Sequence, residues 1–286
     1  MKHGVLALAA TFVLACGGAA ARSPESASQP APPAAVAEAR PFIERSLVIA
    51  PEHIDGFSMV HMRDFQGRPD AGVGLRYQHD ELPEVLIDLF IYPVGRLERE
   101  RALEHGMRTT RQEINATAER GAYSALEFDD EQAFDLRTLA VDGSAGAVGA
   151  PGPDVGRRQF FRYSREEGPA DSLIFMFHRG LFLAKGRASA LPEVVPKEIF
   201  DRVANLAMAA IVPAIEVRST GGCSARTIDV DATLEGEALQ AQLMNRLLES
   251  QRQAEEENCL PTLDETVPAG RRGQLLVFPP SLWQDG

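Results

Sequence analysis

The chain has 286 residues, with 29 basic and 41 acidic side chains, three cysteines and a formal net charge of -12. Hydrophobic residues make up 44% of it and charged residues 24%, as in ordinary globular proteins, so a wholly disordered, collagen-like or coiled-coil protein is excluded. The negative charge argues against a nucleic-acid partner, because affinity for phosphate backbones depends on clustered lysine and arginine.

The N-terminus has the pattern of an export signal. Lys2 is followed by an apolar run at 4–15, which is too short to span a bilayer, since a spanning helix needs about 20 residues. The run ends in Val13-Leu14-Ala15-Cys16, which resembles the lipobox of bacterial lipoproteins. That resemblance implies removal of residues 1–15 and lipidation of Cys16.

The residue after Cys16 bears on where the protein would be sorted. It is Gly17 rather than the Asp that accompanies inner-membrane retention in Gram-negative lipoproteins, so the resemblance implies an outer-membrane protein facing the periplasm. An alternative stays open. Cleavage by ordinary signal peptidase after the alanines at 19–21 would leave a soluble periplasmic or secreted protein that begins at Arg22.

Residues 16–40 are predicted to form a tether. Beyond the cysteine they are rich in Ala, Pro and Ser, a composition that buries too little apolar surface to offset the entropy of ordering.

The first part of the folded region reads as strands around a long helix. Alternating or continuous apolar runs predict strands at 57–65, 71–78 and 85–92, the last of them central because both of its faces are apolar. Leu103, Met107 and Ile114 then form one stripe of a predicted helix at 96–119, with Arg96–Glu100 and Glu104–Arg108 as ion pairs on its outer side.

The second part continues with strands and ends in two helices. Strands are predicted at 122–128, 133–140, 157–163, 171–177 and 181–188, with a loop at 142–156. A helix is expected from Pro196 to Pro213, then a short strand at 226–231, a helix at about 235–257 with leucines at spacing four, and a strand-like run at 275–278.

This order of elements resembles the PsbP/DcrB-like α/β/α sandwich over about residues 57–215. Ile91-Tyr92-Pro93 before the long helix and the strand pair at 172–178 and 181–188 carry the resemblance. It implies an α+β fold with helices packed on an antiparallel-rich sheet, and a family that includes lipoproteins without a catalytic motif. We therefore expect a sandwich domain at 41–220 and a helix-containing C-terminal extension at 221–286.

Cys223 and Cys259 are the two cysteines that remain once Cys16 is lipidated. An even count in an oxidising compartment favours a disulfide. No CxxC motif or histidine pair adjoins either cysteine, so the sequence predicts no metal site and no cofactor.

No catalytic constellation is visible. His53, His61, His79, His105 and His178 are scattered singly, and His61 and Asp64 fall on opposite faces of a strand. Ser144 belongs to a glycine-rich loop rather than to a nucleophile elbow.

Several charged residues have structural explanations. The acidic runs at 129–131 and 255–257 are expected to be solvated faces, and the arginines at 157–165 to protect an edge strand or pair with Glu166 and Glu167. Asp88, inside an apolar strand, needs a partner, for which Lys185 or Arg187 is available.

Two functions follow. The first is a non-catalytic envelope lipoprotein, held on the membrane by its N-terminal lipid, that binds or assembles with another envelope protein. The alternative is a small-ligand-binding protein or hydrolase whose site comes from distant residues, which predicts a deep pocket in the structure, for instance around Asp88.

Overall fold

The computed structural model describes residues 41–139, 152–166, 168–225, 228–231 and 233–282. Cys16, the tether at 16–40, Ser144 and most of the loop at 142–156 lie outside these residues. Within them, no helix is both long enough and apolar enough to cross a membrane.

Twelve strands and three α-helices are present in the described residues. In chain order they are β1 (Arg45–Pro51), β2 (His53–Ile54), β3 (Phe57–Asp64), β4 (Val73–His79), β5 (Leu86–Pro93), α1 (Arg99–Glu119), β6 (Ser124–Phe128), β7 (Gln132–Asp135), β8 (Val155–Arg165), β9 (Gly168–Arg179), β10 (Phe182–Ala190), α2 (Lys197–Ala214), β11 (Glu216–Thr220), α3 (Gly236–Glu257) and β12 (Arg271–Val277).

The strands form one large and one small sheet. The large sheet has the order β2-β3-β4-β5-β10-β9-β8-β6, with β7 paired to the start of β8, and every pairing in it is antiparallel. The small sheet has the order β11-β1-β12, so it joins strands from the two ends of the folded region. The predicted α+β class with an antiparallel-rich sheet is confirmed.

The two faces of the large sheet carry different layers. Successive side chains of a strand point to opposite faces, and accordingly Ile174 and Met176 of β9 pack with α1, whereas Phe175 and Phe177 belong to the core that includes α2. That second core also contains Val48 of β1, so α2 and the small sheet share a face of the large sheet.

Helix α1 lies close to the sheet because its contact face contains a glycine. A Cβ atom at Gly106 would lie 2.8 Å from Sδ of Met176 and 2.9 Å from a methyl group of Leu183. Leu103, Met107 and Ile114 are buried as predicted. At the helix start, the Glu98 carboxylate accepts hydrogen bonds from the backbone N–H groups of Glu100 and Arg101, which caps the first turn.

Helix α3 is exposed along most of its length. Glu257 is its one buried residue, and Leu243, Met244, Leu247 and Leu248 are 42–58% exposed. The end of the helix is attached firmly. Asn258 ends it in the left-handed conformation, and Cys259 forms a disulfide with Cys223, with their Cα atoms 6.0 Å apart.

Three details differ from the sequence predictions. Residues 228–231 of the strand expected at 226–231 are not in a strand. Strand β8 is not an edge, because it lies between β9 and the pair β6 and β7; its Arg157 pairs with Glu100 and its Arg162 with Asp171. Strands β1 and β11 have no counterpart among the predicted strands.

Candidate functional site

A cavity of about 940 Å³ opens at one end of the large sheet, where α1 begins and α2 ends. Its walls come from the end of β5, the start of α1, the turn between β9 and β10, the ends of α2 and α3, and the starts of β11 and β12. A volume of this size is at the upper end of the range for small-molecule sites.

The floor of the cavity is apolar. It is formed by side chains from the sheet and from the end of α2: Ile91, Leu181, Phe182, Val212, Ile215 and Val217. Most of these side chains are also part of the core, and Leu181, Phe182 and Val212 are almost fully buried. The floor is therefore held in place by the packing of the domain.

One wall is built on an ion pair between Arg96 and Glu257. The Arg96 Nε and a terminal nitrogen donate to the two Glu257 oxygens at 2.7 and 3.0 Å, and the terminal nitrogen also donates to the Cys223 carbonyl at 2.9 Å. The Glu257 side chain is only 7% exposed. This pair fixes the end of α3 beside the start of α1 and the disulfide.

The structure corrects two predictions here. Arg96 precedes α1 and pairs with Glu257 rather than with Glu100. Glu257, expected on a solvated acidic face, is buried. No local pattern indicates this pair, because 161 residues separate its two members.

Two further arginines of the lining also hold the structure together. Arg179 donates to the Asp154 carboxylate at 3.2 Å and to the Val212 carbonyl at 3.1 Å. Arg271 donates to the Ala214 carbonyl at 3.0 Å. Both therefore join the end of α2 to neighbouring elements.

Arg99 and His178 contribute polar atoms that have no partner. The Nε of Arg99 and the Nε2 of His178 are buried, with almost no accessible surface, and make no hydrogen bond to any residue that the structure describes. Arg99 uses one terminal nitrogen to donate to the carbonyls of Gly152 and Val155. Buried polar groups are almost always paired in native proteins, so these two nitrogens are exceptions in the described part of the chain.

The surroundings of His178 lower the pKa of its imidazole. Burial lowers its pKa most, the positive charge of Arg99 lowers it further, and Glu98 opposes these effects. A neutral imidazole nitrogen can donate or accept a hydrogen bond, depending on its tautomer.

The lining of the cavity combines apolar side chains with arginines, glutamates and one histidine. Its described lining contains no serine, threonine, cysteine, lysine or tyrosine. No three His, Cys, Asp or Glu side chains come together as a possible metal site in the part of the chain that the structure describes.

Asp88, the residue singled out from the sequence, lies elsewhere. It is on β5 opposite both Arg76 and Arg187, and it accepts two hydrogen bonds from Arg76, at 2.7 and 2.9 Å. The expected structural ion pair exists, but its partner is Arg76 rather than Lys185 or Arg187. Lys185 instead pairs with Glu113. Asp88 does not line the cavity described above.

Of the scattered histidines, only His178 lines the cavity. His53 contacts Ser58, and His79 accepts hydrogen bonds from the backbone N–H groups of Glu81 and Leu82. In the sequence, His178 falls at a predicted turn and Arg99 belongs to no motif. They lie 79 residues apart, so no local signal marks them as members of one site.

Comparisons with known proteins identify no family. No protein-family model and no curated protein matches the chain. Among solved structures, the solution structure of cyanobacterial PsbP (CyanoP) from Synechocystis sp. PCC 6803 is similar, with 15% sequence identity and a TM-score of 0.34. The similarity covers 60% of this chain and 92% of that one. At this level it carries no information on ligand or activity, and the α+β class stands on the strand pairing described above.

Proposed function

We propose that this protein is a non-catalytic binding module of the cell envelope, held on the outer membrane by a lipid at Cys16 and facing the periplasm. Residues 16–40 would act as its tether. We also propose that the folded part has the PsbP/DcrB-like arrangement that its order of elements resembles. The lipobox at 13–16, the short apolar run before it and the paired cysteines of the folded region support the location.

The observation that carries the binding function is the cavity. It combines a packed apolar floor with charged and polar side chains on its walls, among them Arg99 and His178. A few fixed polar groups on an apolar surface are typical of small-molecule sites.

Membrane fractionation tests the anchor. We expect the native protein in the outer-membrane fraction, with an intact mass raised by a diacylglyceryl and an acyl group, and Cys16→Ala in the soluble fraction. Cys223→Ala, which leaves the lipobox intact, is the control and should stay membrane-bound. A soluble native protein beginning at Arg22 would overturn the anchor.

Native mass spectrometry tests the binding module. Protein purified from its own cells should carry a small molecule that is lost when Ala214→Trp fills the cavity beside α2. Glu119→Trp adds the same side chain at an exposed position outside the cavity and should retain the molecule. A turnover that a single substitution abolishes would contradict a non-catalytic role.

A second candidate function, assembly with another envelope protein, is favoured by the exposed apolar stripe of α3. Met244, at 58% exposure, lies at its centre, and clustered exposed apolar side chains are typical of interaction sites. A photo-crosslinking amino acid at position 244 should capture an envelope protein, whereas the same probe at Glu119 should not. Equal labelling from both positions would argue against an interface on α3.

A further inference from the structure

The face of the large sheet on which α1 packs is only partly covered. Residues that pair across antiparallel strands point to the same face, which defines two rows of side chains from β9 through β10, β5 and β4 to β3. The first row is Met176, Lys185, Phe90, Gly74 and Arg63, and the second is Ile174, Arg187, Asp88, Arg76 and His61. Met176 and Ile174 pack with α1, whereas Arg63 is exposed and the Arg76 side chain is 39% exposed. The part of this face formed by β3, β4 and β5, the open face, is therefore accessible to solvent.

The open face combines aromatic rings with cations. The Phe65 ring lies over Gly74, since a Cβ there would be 3.4 Å from it, and stacks on Phe90 with 6.4 Å between the ring centroids. The guanidinium of Arg63 lies 5.7 Å from the centroid of Phe65, and the Lys185 Nζ lies 5.0 Å from that of Phe90. This surface therefore offers both apolar contact and positive charge.

The charges of the open face and of α3 are opposite. The two rows contain four lysine or arginine side chains and one acidic side chain, Asp88, and they remain positive when Glu113 of α1, the partner of Lys185, is included. The exposed part of α3 carries four glutamates and two arginines. Surfaces of opposite charge attract each other and fix the register of a complex.

The apolar stripe of α3 lacks a cover in its own chain. It consists of Leu243, Met244, Leu247 and Leu248, all of which are exposed, although helices in proteins owe most of their stability to the packing of such a face. The 22 residues of α3 extend about 33 Å. β3 and β5, with eight residues each, extend about 26 Å, so α3 is long enough to cross the whole open face.

We infer that the apolar stripe of α3 packs on the open face of a second copy of this chain. A two-fold axis would make the contact twice, with each copy supplying one α3 and one open face. The leucines and Met244 would lie against Phe65 and Phe90, and glutamates of α3 would lie among the cations. This inference rests on the second function proposed above, assembly through α3, and specifies the partner.

Sedimentation velocity of the full chain carrying Cys16→Ala tests the association, because this chain has no lipid that could bring copies together. We expect a dimer whose dissociation constant rises about tenfold or more in Met244→Glu, since the new carboxylate would be buried without a partner. Asn245→Glu adds the same charge one residue further along α3, outside the apolar stripe, and should leave the constant unchanged. A monomer at every concentration from micromolar to submillimolar would overturn the inference.

A charge reversal on the open face tests the other half of the contact. Arg63→Glu should also raise the dissociation constant about tenfold, because it places a like charge against α3. Arg101→Glu reverses an exposed charge of α1 outside the open face and is the control. Circular dichroism establishes that each variant is folded. A dimer that is weakened equally by Arg63→Glu and Arg101→Glu would contradict docking on the open face.

Photo-crosslinking maps the surface that α3 contacts. A chain with a photo-reactive amino acid at position 244 is mixed with an isotope-labelled chain that lacks it, so that crosslinks between copies are recognised by their mass. They should join α3 to labelled peptides from β3, β4 or β5. Crosslinks from α3 to the labelled α3 would show that the two helices pair with each other, and the inference would be wrong.

Failure of this inference can be told apart from failure of the proposed function. If the purified chain stays monomeric, while the probe at position 244 captures a different envelope protein in cells, the partner is wrong and assembly through α3 stands. If the probe captures nothing in either setting, both fail. The test of the cavity by native mass spectrometry is independent of these results.

Discussion

Glu257 is a buried carboxylate on the cavity wall, and its two oxygens are bonded to Arg96. Removing one member of a buried ion pair leaves the other charge uncompensated. Arg96 is about one-third exposed, so solvent will screen part of the effect. We expect Glu257→Ala to lower the free energy of unfolding by about 2–4 kcal/mol, as measured by urea denaturation.

The neighbouring residue provides the control for this prediction. Glu256 is exposed, and Glu256→Ala should change the free energy of unfolding by less than about 0.5 kcal/mol, as is usual for surface substitutions. Similar losses for the two variants would indicate that the Arg96–Glu257 pair does not stabilise the fold.

His178 makes stability depend on pH in a defined direction. Its pKa is lowered by burial and by Arg99, so between that pKa and the unfolded value near 6.5 the unfolded chain binds more protons. Stability should therefore fall as pH drops below about 6.5. His61, whose pKa is also lowered, contributes in the same direction.

Comparison with His178→Leu isolates the effect of this side chain. Urea denaturation at a series of pH values from 7.5 to 5 should show a shallower loss of stability in the variant than in the native chain. A His61→Leu variant shows the share due to His61. Parallel pH profiles for the native chain and His178→Leu would contradict a lowered pKa of His178.

The turn between β9 and β10 is built on a glycine. Gly180 has a φ of +61°, and a Cβ there would lie 2.5 Å from the Glu256 carbonyl oxygen. This turn therefore packs directly on the end of α3. We expect Gly180→Ala to lower the free energy of unfolding by about 3 kcal/mol, from backbone strain and steric overlap together.

Gly67→Ala separates these two causes. Gly67 has a φ of +76°, and a Cβ there would have no neighbour within 4 Å. Its substitution therefore introduces only the strain of a left-handed conformation, about 1 kcal/mol. Both variants are compared by thermal and urea unfolding. Equal losses in the free energy of unfolding would mean that the contact between the turn and α3 accommodates the added methyl group at little cost.

The elements that the sequence predicts correctly have strong local signals. Strands β3, β4, β5, β9 and β10 and the three helices lie close to their expected ranges, because alternation, helical periodicity and turn residues mark them. β1 and β11 pair with each other across about 170 residues, and their short apolar runs give no sign of a partner. The cavity depends on such distant segments, which is why its residues could not be assembled from the sequence.

The disulfide closes a segment of the chain that contains all of α3. Cys223 and Cys259 are 36 residues apart. Loss of a loop of this length in the unfolded state corresponds to about 3–4 kcal/mol in the chain-entropy model. We expect Cys223→Ala/Cys259→Ala to lower the free energy of unfolding by that amount under oxidising conditions.

Reductant provides the matched control for the disulfide. With it, the native chain and the double variant should unfold at similar urea concentrations, and α3 should exchange its amide hydrogens faster in both. If the double variant is as stable as the oxidised native chain, the bridge does not constrain the unfolded state.

The small sheet has a consequence for the order in which the chain acquires its structure. β1 comes first in the chain among the described strands, but its two partners, β11 and β12, follow 165 residues or more later. The hairpins β3-β4-β5 and β8-β9-β10 join neighbouring segments and can form early. β1 therefore stays unpaired until β11 and β12 are available. Pulse-labelled hydrogen exchange should show that the amides of β4 become protected before those of β1.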